Sequence, residues 1–278
     1  MSFKTILSIS GVDHPGSDLI AAAELSERVG AHLAAVVIAC VPPPPMGDLV
    51  GQPYSTWSFE WQDASKRLED RTSEFRELLA GKGLRGDVQP IYCMQSDVDE
   101  EIGKRALYAD VSIVGADLLK DDFFLNRVLN GALFQSPAPV ILGSKGTTVN
   151  LSPKKVLIAW NSGAEAGKAL RDAMEMLVGA DDVRIAIVDP QATTDAMGQE
   201  PGADVAAFLA RHGVAVSVDV LASGGRETGA VLRQHAVDLN ADLIVMGAYG
   251  HSRMRERIFG GVTKSMIDNA VVPVLLAH

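Results

Sequence analysis

The sequence predicts an α/β protein with two tandem open parallel sheets of five strands each and helices on both faces. Short apolar runs that end in glycine or small polar residues alternate along the chain with amphipathic helical patterns. Strands that alternate with helices require crossover connections, which favour a mostly parallel sheet covered on both faces. The whole pattern occurs twice, which indicates two domains.

The two copies are visible as four apolar runs that recur in the same order. Each run is short enough for a buried strand. The matched pairs are FKTILSIS with KKVLIAWN, AHLAAVVIAC with DDVRIAIVDP, ADVSIVGADL with ADLIVMGAYG, and APVILG with VPVLLA. This internal duplication predicts a first domain at residues 1–146 and a second at residues 152–278. The polar stretch GSKGTTVNLSP is the predicted linker.

Helical patterns lie between the predicted strands. In the first copy a helix begins at Ser17, a candidate N-cap, and ends at Gly30. In the second copy Ser162 and Glu165 form an S-x-x-E capping box, and Gly179 ends the helix. Further helices are predicted over residues 58–79, 98–109, 202–212 and 228–239.

The first copy is longer because of an insertion after its second strand. The insertion contains four consecutive prolines, Pro42–Pro45, which lack backbone donors and have a restricted φ. We predict an extended surface loop here, because such segments lie outside the core. A proline-rich ligand for a protein partner is the less favoured alternative.

Composition excludes several classes of function. Of 278 residues, 47% are hydrophobic and 22% are charged, as in globular proteins with a sizeable core. The net charge of -10 disfavours a nucleic-acid surface, which requires cationic side chains. Cys40 and Cys93 are far apart and lack C-x-x-C spacing, so neither a disulfide framework nor a zinc site is predicted. No segment has the roughly 20 apolar residues of a membrane helix, so we expect a cytoplasmic protein with no membrane partner.

A glycine-rich segment, VMGAYGHSRMRERIFGGVTKSM, is the strongest functional signal. Gly247, Gly250, Gly260 and Gly261 have the spacing G-x2-G-x9-G-G between an apolar strand and a predicted helix. The first amides of a helix lack intrahelical partners and, with the helix dipole, form an anion site. Glycines let the backbone approach a phosphate closely. The segment is therefore either a phosphate-binding loop at a strand end or a tight strand-to-helix turn.

This loop resembles that of the universal stress protein family, whose ATP-binding members carry G-x2-G-x9-G-[ST] at this place in a Rossmann-like fold. The ADLIVMG lead-in, the VPVLLA closing strand and the two tandem copies are also typical of its two-domain members. The resemblance covers essentially the whole chain and is strongest over residues 241–278. It implies a stress-response role and an adenine nucleotide, ATP with or without Mg²⁺, bound in the second copy.

The resemblance also implies which residues bind the nucleotide. They are Trp160, Asn161, Val188, Met246, Gly247, Gly250, His251, Gly260, Gly261, Val262 and Thr263. Asn161 stands where ATP-binding relatives have an aspartate that contacts the nucleoside, and Trp160 either stacks on adenine or fills its pocket. The backbone of Val188 aligns with a position that reads the adenine edge. Gly261 replaces a serine or threonine, and the lost hydrogen bond costs about 0.5 to 1.5 kcal/mol.

The first copy has a degenerate form of the loop. Gly115 is retained, but Leu118 replaces the second glycine. Asp121 and Asp122 follow and would repel phosphate. We therefore predict one nucleotide site or none, but not two. The first copy is expected to replace one subunit of the dimer that is usual in the family.

Other polar residues near the loop have two interpretations each. Any one of Arg253, Arg255 and Arg257 either contacts phosphate or lies on a solvated loop face. His251 either reaches the phosphates or has no role. The stretch ASGGRETG either contributes to the cleft or only begins a helix capped by Thr228. No catalytic or metal-binding residue is predicted, because G-x-S-x-G, G-x4-G-K-[ST] and metal-ligand spacings do not occur.

Two functions remain open on the sequence. The first is a stress-response sensor that binds ATP or a related nucleotide with little or no hydrolysis. The second is an interaction scaffold that does not bind nucleotide. An enzyme of the related adenine-nucleotide alpha-hydrolase group would need catalytic residues that we do not find. The protein partner is unknown, and the closing strands leave edges that pair either between the copies or between two chains of a homodimer.

Overall fold

The computed structural model describes residues 3–41, 54–144, 148–190, 200–248 and 261–278. These residues divide into two compact units, Phe3–Ala138 and Pro139–His278. The insertion with Pro42–Pro45 and most of the glycine-rich segment lie outside the described residues.

The first unit is a parallel sheet flanked by helices. Its strands are β1 (Thr5–Gly11), β2 (His32–Val41), β3 (Gly86–Met94) and β4 (Val111–Val114). They lie in the order β3-β2-β1-β4, and neighbours run parallel. The helices are α1 (Ser17–Val29), α2 (Tyr54–Gly81), α3 (Val98–Ala106) and α4 (Asp122–Phe134). Helices α1 and α2 pack on one face of the sheet, where Leu19 and Phe75 cluster with Val37.

The second unit repeats this plan with two more strands. Its strands are β5 (Val140–Leu142), β6 (Lys155–Ala159), β7 (Asp182–Val188), β8 (Val216–Leu221), β9 (Leu243–Gly247) and β10 (Val274–Ala277). Their order is β5-β10-β9-β6-β7-β8, and only the pairing of β5 with β10 is antiparallel. The helices are α5 (Ala164–Asp172), α6 (Met174–Val178), α7 (Ala203–Arg211), α8 (Thr228–Asp238) and α9 (Gly261–Asp268).

The predicted fold class is confirmed, and one strand is placed differently. The closing strand of the first copy, β5, pairs with the closing strand of the second, with Ile141 opposite Leu275. Of the two pairings left open by the sequence, the one between the copies is therefore present. The compact second unit accordingly begins at Pro139, before β5, whereas the boundary predicted from the repeat follows this strand.

The duplication is also visible in hydrogen bonds. Asp110 precedes β4, and its carboxylate accepts the N–H groups of Lys4 and Thr5 at 2.6 and 2.8 Å. Asp242 precedes β9, and its carboxylate accepts the N–H groups of residues 154 and 155 at 2.7 and 2.9 Å. Each aspartate belongs to the Ala-Asp pair shared by ADVSIVG and ADLIVMG. The repeated sequence therefore encodes a repeated contact that fixes the start of the first strand in each copy.

We expect Asp242→Ala to lower the free energy of unfolding by about 1 to 3 kcal/mol, because the two amides at the start of the first strand of the second copy lose a charged acceptor. Asp242→Asn keeps one oxygen acceptor and should lose less. Urea unfolding followed by circular dichroism measures both. Equal midpoints for the wild type and Asp242→Ala would contradict the assigned role.

The predicted N-cap of α1 is wrong, whereas its end is confirmed. Gly30 follows the helix in a left-handed conformation, with φ of 69°. At the other end the capping position is occupied by Gly16, with φ of 87°, and not by Ser17. The Ser17 hydroxyl instead donates a hydrogen bond to Asp117. A long-range partner thus competes successfully with local capping.

The capping box predicted for the second copy is also wrong. Ser162 has a left-handed φ of 60°, and Gly163 occupies the N-cap of α5 without a side-chain hydrogen bond. The Asn161 Oδ1 atom accepts the N–H of Gly163 at 2.9 Å. The helix predicted up to Gly179 is divided at Ala173 into α5 and α6. An asparagine turn therefore replaces the Ser162–Glu165 box.

Candidate functional site

The order of strands in the second unit reverses between β6 and β9. Counting along the repeat, β6 is the first strand, with β7 and β8 on one side and β9 and β10 on the other. Ala159, at the end of β6, pairs with Met246 of β9 and with Ala186 of β7. In open α/β sheets, ligands bind beyond the carboxyl ends of strands at such a reversal. We call the carboxyl ends of β6, β7 and β9 the strand-end edge.

Several of the predicted residues meet at the strand-end edge. Trp160 follows β6 and is half-buried. Its backbone N–H donates to the Ala186 carbonyl at 3.0 Å. Asn161 is exposed, although its Oδ1 is engaged in the turn that begins α5. Val188 is the half-buried last residue of the neighbouring strand β7. The structure therefore brings together the residues that the resemblance assigned to the nucleoside.

Met246 and Gly247 are at the same edge but face the protein. Met246 is 5% exposed, so its side chain belongs to the core. A Cβ atom on Gly247 would lie 2.5 Å from the carbonyl carbon of Glu165 and closer still to the Ala166 nitrogen. We predicted that this glycine would let the backbone approach a phosphate. The structure shows that it allows α5 to pack against the end of β9, and its role towards a phosphate stays a prediction.

The beginning of α9 is placed at the strand-end edge by topology. Because β9 and β10 are parallel, the connection through α9 must return from the carboxyl edge of the sheet to its opposite edge. The amides of Gly261 and Val262 therefore open the helix at that edge. Gly261 is exposed, and none of the described residues would lie within 4 Å of a Cβ atom there. Thr263 is only 5% exposed, so its hydroxyl lies below the surface of the first turn.

Helix α9 is held by α8 through a polar contact. One guanidinium nitrogen of Arg233 donates to the Ser265 carbonyl at 2.8 Å and to its hydroxyl at 2.6 Å. Gly229 permits this approach, since a Cβ atom there would lie 2.8 Å from the Ser265 hydroxyl. The buried side chains of Met266 and Ile267 complete the packing of α9. The direction of the helix N-terminus is thus set by the fold.

The remaining predicted residues lie outside the described part of the chain. These are Gly250, His251 and Gly260, together with the three arginines of the loop. Their assignment stays a prediction.

Asp189 is a residue at the edge that the sequence analysis missed. It follows Val188 with a left-handed φ of 46°, and its carboxylate accepts the Ser223 N–H at 3.0 Å. Its own N–H donates to the Leu221 carbonyl at 2.9 Å. Hydrogen bonds from the side chain and backbone of Ser223 lower the pKa of Asp189. A charged carboxylate therefore ties the ends of β7 and β8 together.

The corresponding edge of the first unit is occupied by a carboxylate of the protein. Asp18, in the first turn of α1, accepts the N–H of Asp117 at 2.9 Å and the N–H of Leu118 at 3.0 Å. A Cβ atom on Gly115 would collide with this Asp18 side chain. Burial raises the pKa of Asp18, against the lowering effect of the two backbone hydrogen bonds. The amides that follow β4 thus already have an acidic partner.

The acidic pair after β4 has a partly different role from the one predicted. Asp121 caps α4 by accepting the N–H of Phe124 at 3.0 Å, and its other oxygen lies 3.3 Å from the His14 ring. Leu118 is fully buried. The degenerate character of this loop therefore rests mainly on Asp18, which the sequence analysis did not single out.

Two kinds of feature are absent from the described ranges of the chain. No helix there is long and apolar enough to cross a membrane. No group of three or more histidine, cysteine, aspartate or glutamate side chains is arranged there to hold a metal ion.

Comparisons with solved structures identify the fold over nearly the whole chain. A universal stress protein from Archaeoglobus fulgidus DSM 4304 matches with a TM-score of 0.71 and 18% identity, covering 98% of this chain and 95% of that chain. A putative universal stress protein from Pseudomonas aeruginosa UCBPP-PA14 matches with a TM-score of 0.59 and 16% identity, covering 99% and 93%. At these identities the likeness concerns the fold alone. No curated protein matches the sequence significantly.

The family itself is identified by the second repeat. The model of the universal stress protein family matches residues 153–278, the part in which the sequence resemblance is strongest. Residues 153–278 are thus a universal stress protein domain.

Proposed function

We propose that the second unit binds an adenine nucleotide, ATP with or without Mg²⁺, at the strand-end edge, and that the protein signals by occupancy of this site. The observation that carries the proposal is the reversal of strand order between β6 and β9, with the N-terminus of α9 at the same edge. Ligands of open α/β sheets bind at such a reversal, and a helix N-terminus at the same edge can bind an anion.

The described residues fit the two parts of a nucleotide. The amides of Gly261 and Val262, which have no partner within the helix, suit the phosphates together with the dipole of α9. Among the described residues, none would lie within 4 Å of a Cβ atom on Gly261. At the other part of the edge, the indole of Trp160 offers a face for a base, and the Asn161 amide offers a donor for a ribose hydroxyl. Bound Mg²⁺ would reduce the negative charge of the phosphates.

Occupancy is proposed as the signal because the sequence contains neither a P-loop lysine motif nor a nucleophile elbow. The internal carboxylate of Asp18 further supports a single nucleotide site, in the second unit.

Calorimetric titration of the full chain with ATP, in the presence and absence of Mg²⁺, tests this proposal. Saturable binding is the expected result. Absence of binding at millimolar ATP would refute the nucleotide-sensor function.

A second candidate function is an interaction scaffold that does not bind nucleotide. Two observations favour it: the Asn161 Oδ1 atom is engaged by Gly163, and Gly247 is in contact with α5. Both reduce the number of groups free to hold a ligand. The scaffold candidate predicts a protein partner, or a homodimer in sedimentation, whose formation is unaffected by ATP.

We expect Gly261→Ser to tighten nucleotide binding by up to about tenfold. A Cβ atom at this position would not collide with any described residue, and the added hydroxyl supplies one hydrogen bond of about 0.5 to 1.5 kcal/mol. Gly261→Ala, which adds the carbon without the hydroxyl, is the matched control. Equal dissociation constants for the serine and alanine variants would show that the missing hydroxyl does not limit affinity.

A further inference from the structure

The two cysteines of the chain are direct neighbours in the sheet of the first unit. Cys40 is near the end of β2, Cys93 is near the end of β3, and the two are register partners. Adjacent strands lie about 4.8 Å apart, and a disulfide requires Cα atoms about 4.4 to 6.8 Å apart. The side chains of register partners in parallel strands point to the same face. Backbone pairing thus places the two sulfur atoms together, although the residues are distant in sequence.

The Cys40–Cys93 pair lies on the face opposite the packed cluster of α1 and α2. Ala39 and Tyr92, one residue earlier in each strand, belong to or pack against that cluster. Because side chains alternate along a strand, the cysteines face the other side, towards α3 and α4. Both are partly exposed and free. A small oxidant can therefore reach them from solvent.

Charged groups surround the pair unevenly. Asp121, next to α4, raises the pKa of Cys40, and Arg127 of α4 lowers it. Glu101 of α3 and Asp97 disfavour a thiolate at Cys93. A guanidinium nitrogen of Arg127 lies 3.4 Å from a carboxylate oxygen of Asp99, which partly neutralises its positive charge. The charged side chains therefore do not explain which thiol ionises first.

The contact between the two thiols does explain it. The thiols hydrogen-bond with each other, and this bond lowers the pKa of Cys93. The same bond raises the pKa of Cys40, and burial of this thiol is the second largest cause of the increase. The direction of these shifts favours Cys93 as the nucleophile and Cys40 as the second thiol, since the thiolate is the reactive form.

We propose that Cys40 and Cys93 are a vicinal dithiol that a peroxide oxidises to an intrachain disulfide joining β2 to β3. The Cys93 thiolate attacks one oxygen of hydrogen peroxide, the O–O bond breaks, and the released hydroxide takes a proton to form water. The Cys93 sulfenic acid is then attacked by Cys40, an S–S bond forms, and a second water leaves. In total, two thiols lose two electrons and hydrogen peroxide is reduced to two waters.

This site is separate from the proposed nucleotide site. It lies in the first unit, whereas the nucleotide is assigned to the second, and its chemistry requires neither the glycine-rich loop nor α9. The outcome for the thiol pair therefore does not depend on the outcome for nucleotide binding.

The test is oxidation of the full-length native protein with hydrogen peroxide, followed by intact-mass and peptide mapping. The wild type should lose both free thiols, and its mass should decrease by two hydrogen atoms. Peptide mapping should show one cross-linked pair of peptides, and dithiothreitol should restore both thiols. Cys40→Ser should accumulate a Cys93 sulfenic acid that dimedone traps. Cys93→Ser should react much more slowly. Sulfinic acid at Cys93, or only interchain disulfides, in the wild type would overturn the proposal.

A second measurement probes the pair without oxidation. Phenylarsine oxide, a trivalent arsenical, bridges two close thiols with release of water. One arsenical per chain should bind the wild type, and both single-serine variants should lose this binding. Binding that survives in either variant would show that the thiols do not act as a pair.

Discussion

Replacing Gly261 with aspartate is expected to abolish measurable ATP binding while leaving the second unit folded. The Cβ atom of the added side chain would meet none of the residues that the structure describes, and an acidic residue at a helix N-terminus stabilises the helix by about 0.3 to 1 kcal/mol. The same carboxylate would lie where the phosphates are proposed to bind and would repel them. Calorimetric titration measures the loss of binding, and thermal unfolding shows that the fold is retained.

The matched control is Gly261→Asn, which has nearly the same shape but no charge. It should retain most of the affinity of the wild type, since the backbone amides remain available. An aspartate variant that binds ATP as tightly as the asparagine variant would contradict the placement of the phosphates at α9.

Gly247→Ala is expected to destabilise the second unit by about 1 to 3 kcal/mol or more, the range for overpacking in a core. The added methyl group would collide with the backbone of Glu165 and Ala166, which cannot move aside as the end of a side chain can. Thermal unfolding of the full chain measures the change.

Gly261→Ala serves as the stability control for this prediction, because the same methyl group would collide with none of the described residues there. It should leave the midpoint nearly unchanged. If the two alanine variants unfolded at the same temperature, Gly247 would not be a packing glycine, and its direct role towards a phosphate would regain support.

The fold was predictable because its signals are local and occur twice. Apolar runs such as ADVSIVG and ADLIVMG identify the strands, and their alternation with helical patterns requires parallel pairing. The repeated Ala-Asp pair even marks a contact that recurs, at Asp110 and Asp242. Gly30 was likewise predictable, since a left-handed residue at a helix end is most often glycine.

The remaining features depend on contacts between distant residues. Ser17 binds Asp117, 100 residues away, and so does not cap its own helix. Asp18 likewise reaches the amides that follow β4, which makes it the main acidic group at that edge. Gly247 carries a glycine signal that fits both a phosphate site and close packing, and only the position of α5 distinguishes them.

The pairing of the cysteines shows the same limit. Cys40 and Cys93 have no motif spacing, so the sequence indicated neither a disulfide framework nor a metal site. Their proximity follows from the register of β2 and β3, which is set by all the residues of both strands and by the helices that cover them.

The most direct test of the central claim is the number of nucleotides bound per chain, measured by native mass spectrometry with ATP and Mg²⁺. The structure leads us to expect a single nucleotide, retained by a variant of the first unit such as Asp122→Ala and lost in Gly261→Asp. A chain that stays free of nucleotide at saturating ATP, or one that keeps its nucleotide in Gly261→Asp, would contradict a nucleotide site at the N-terminus of α9.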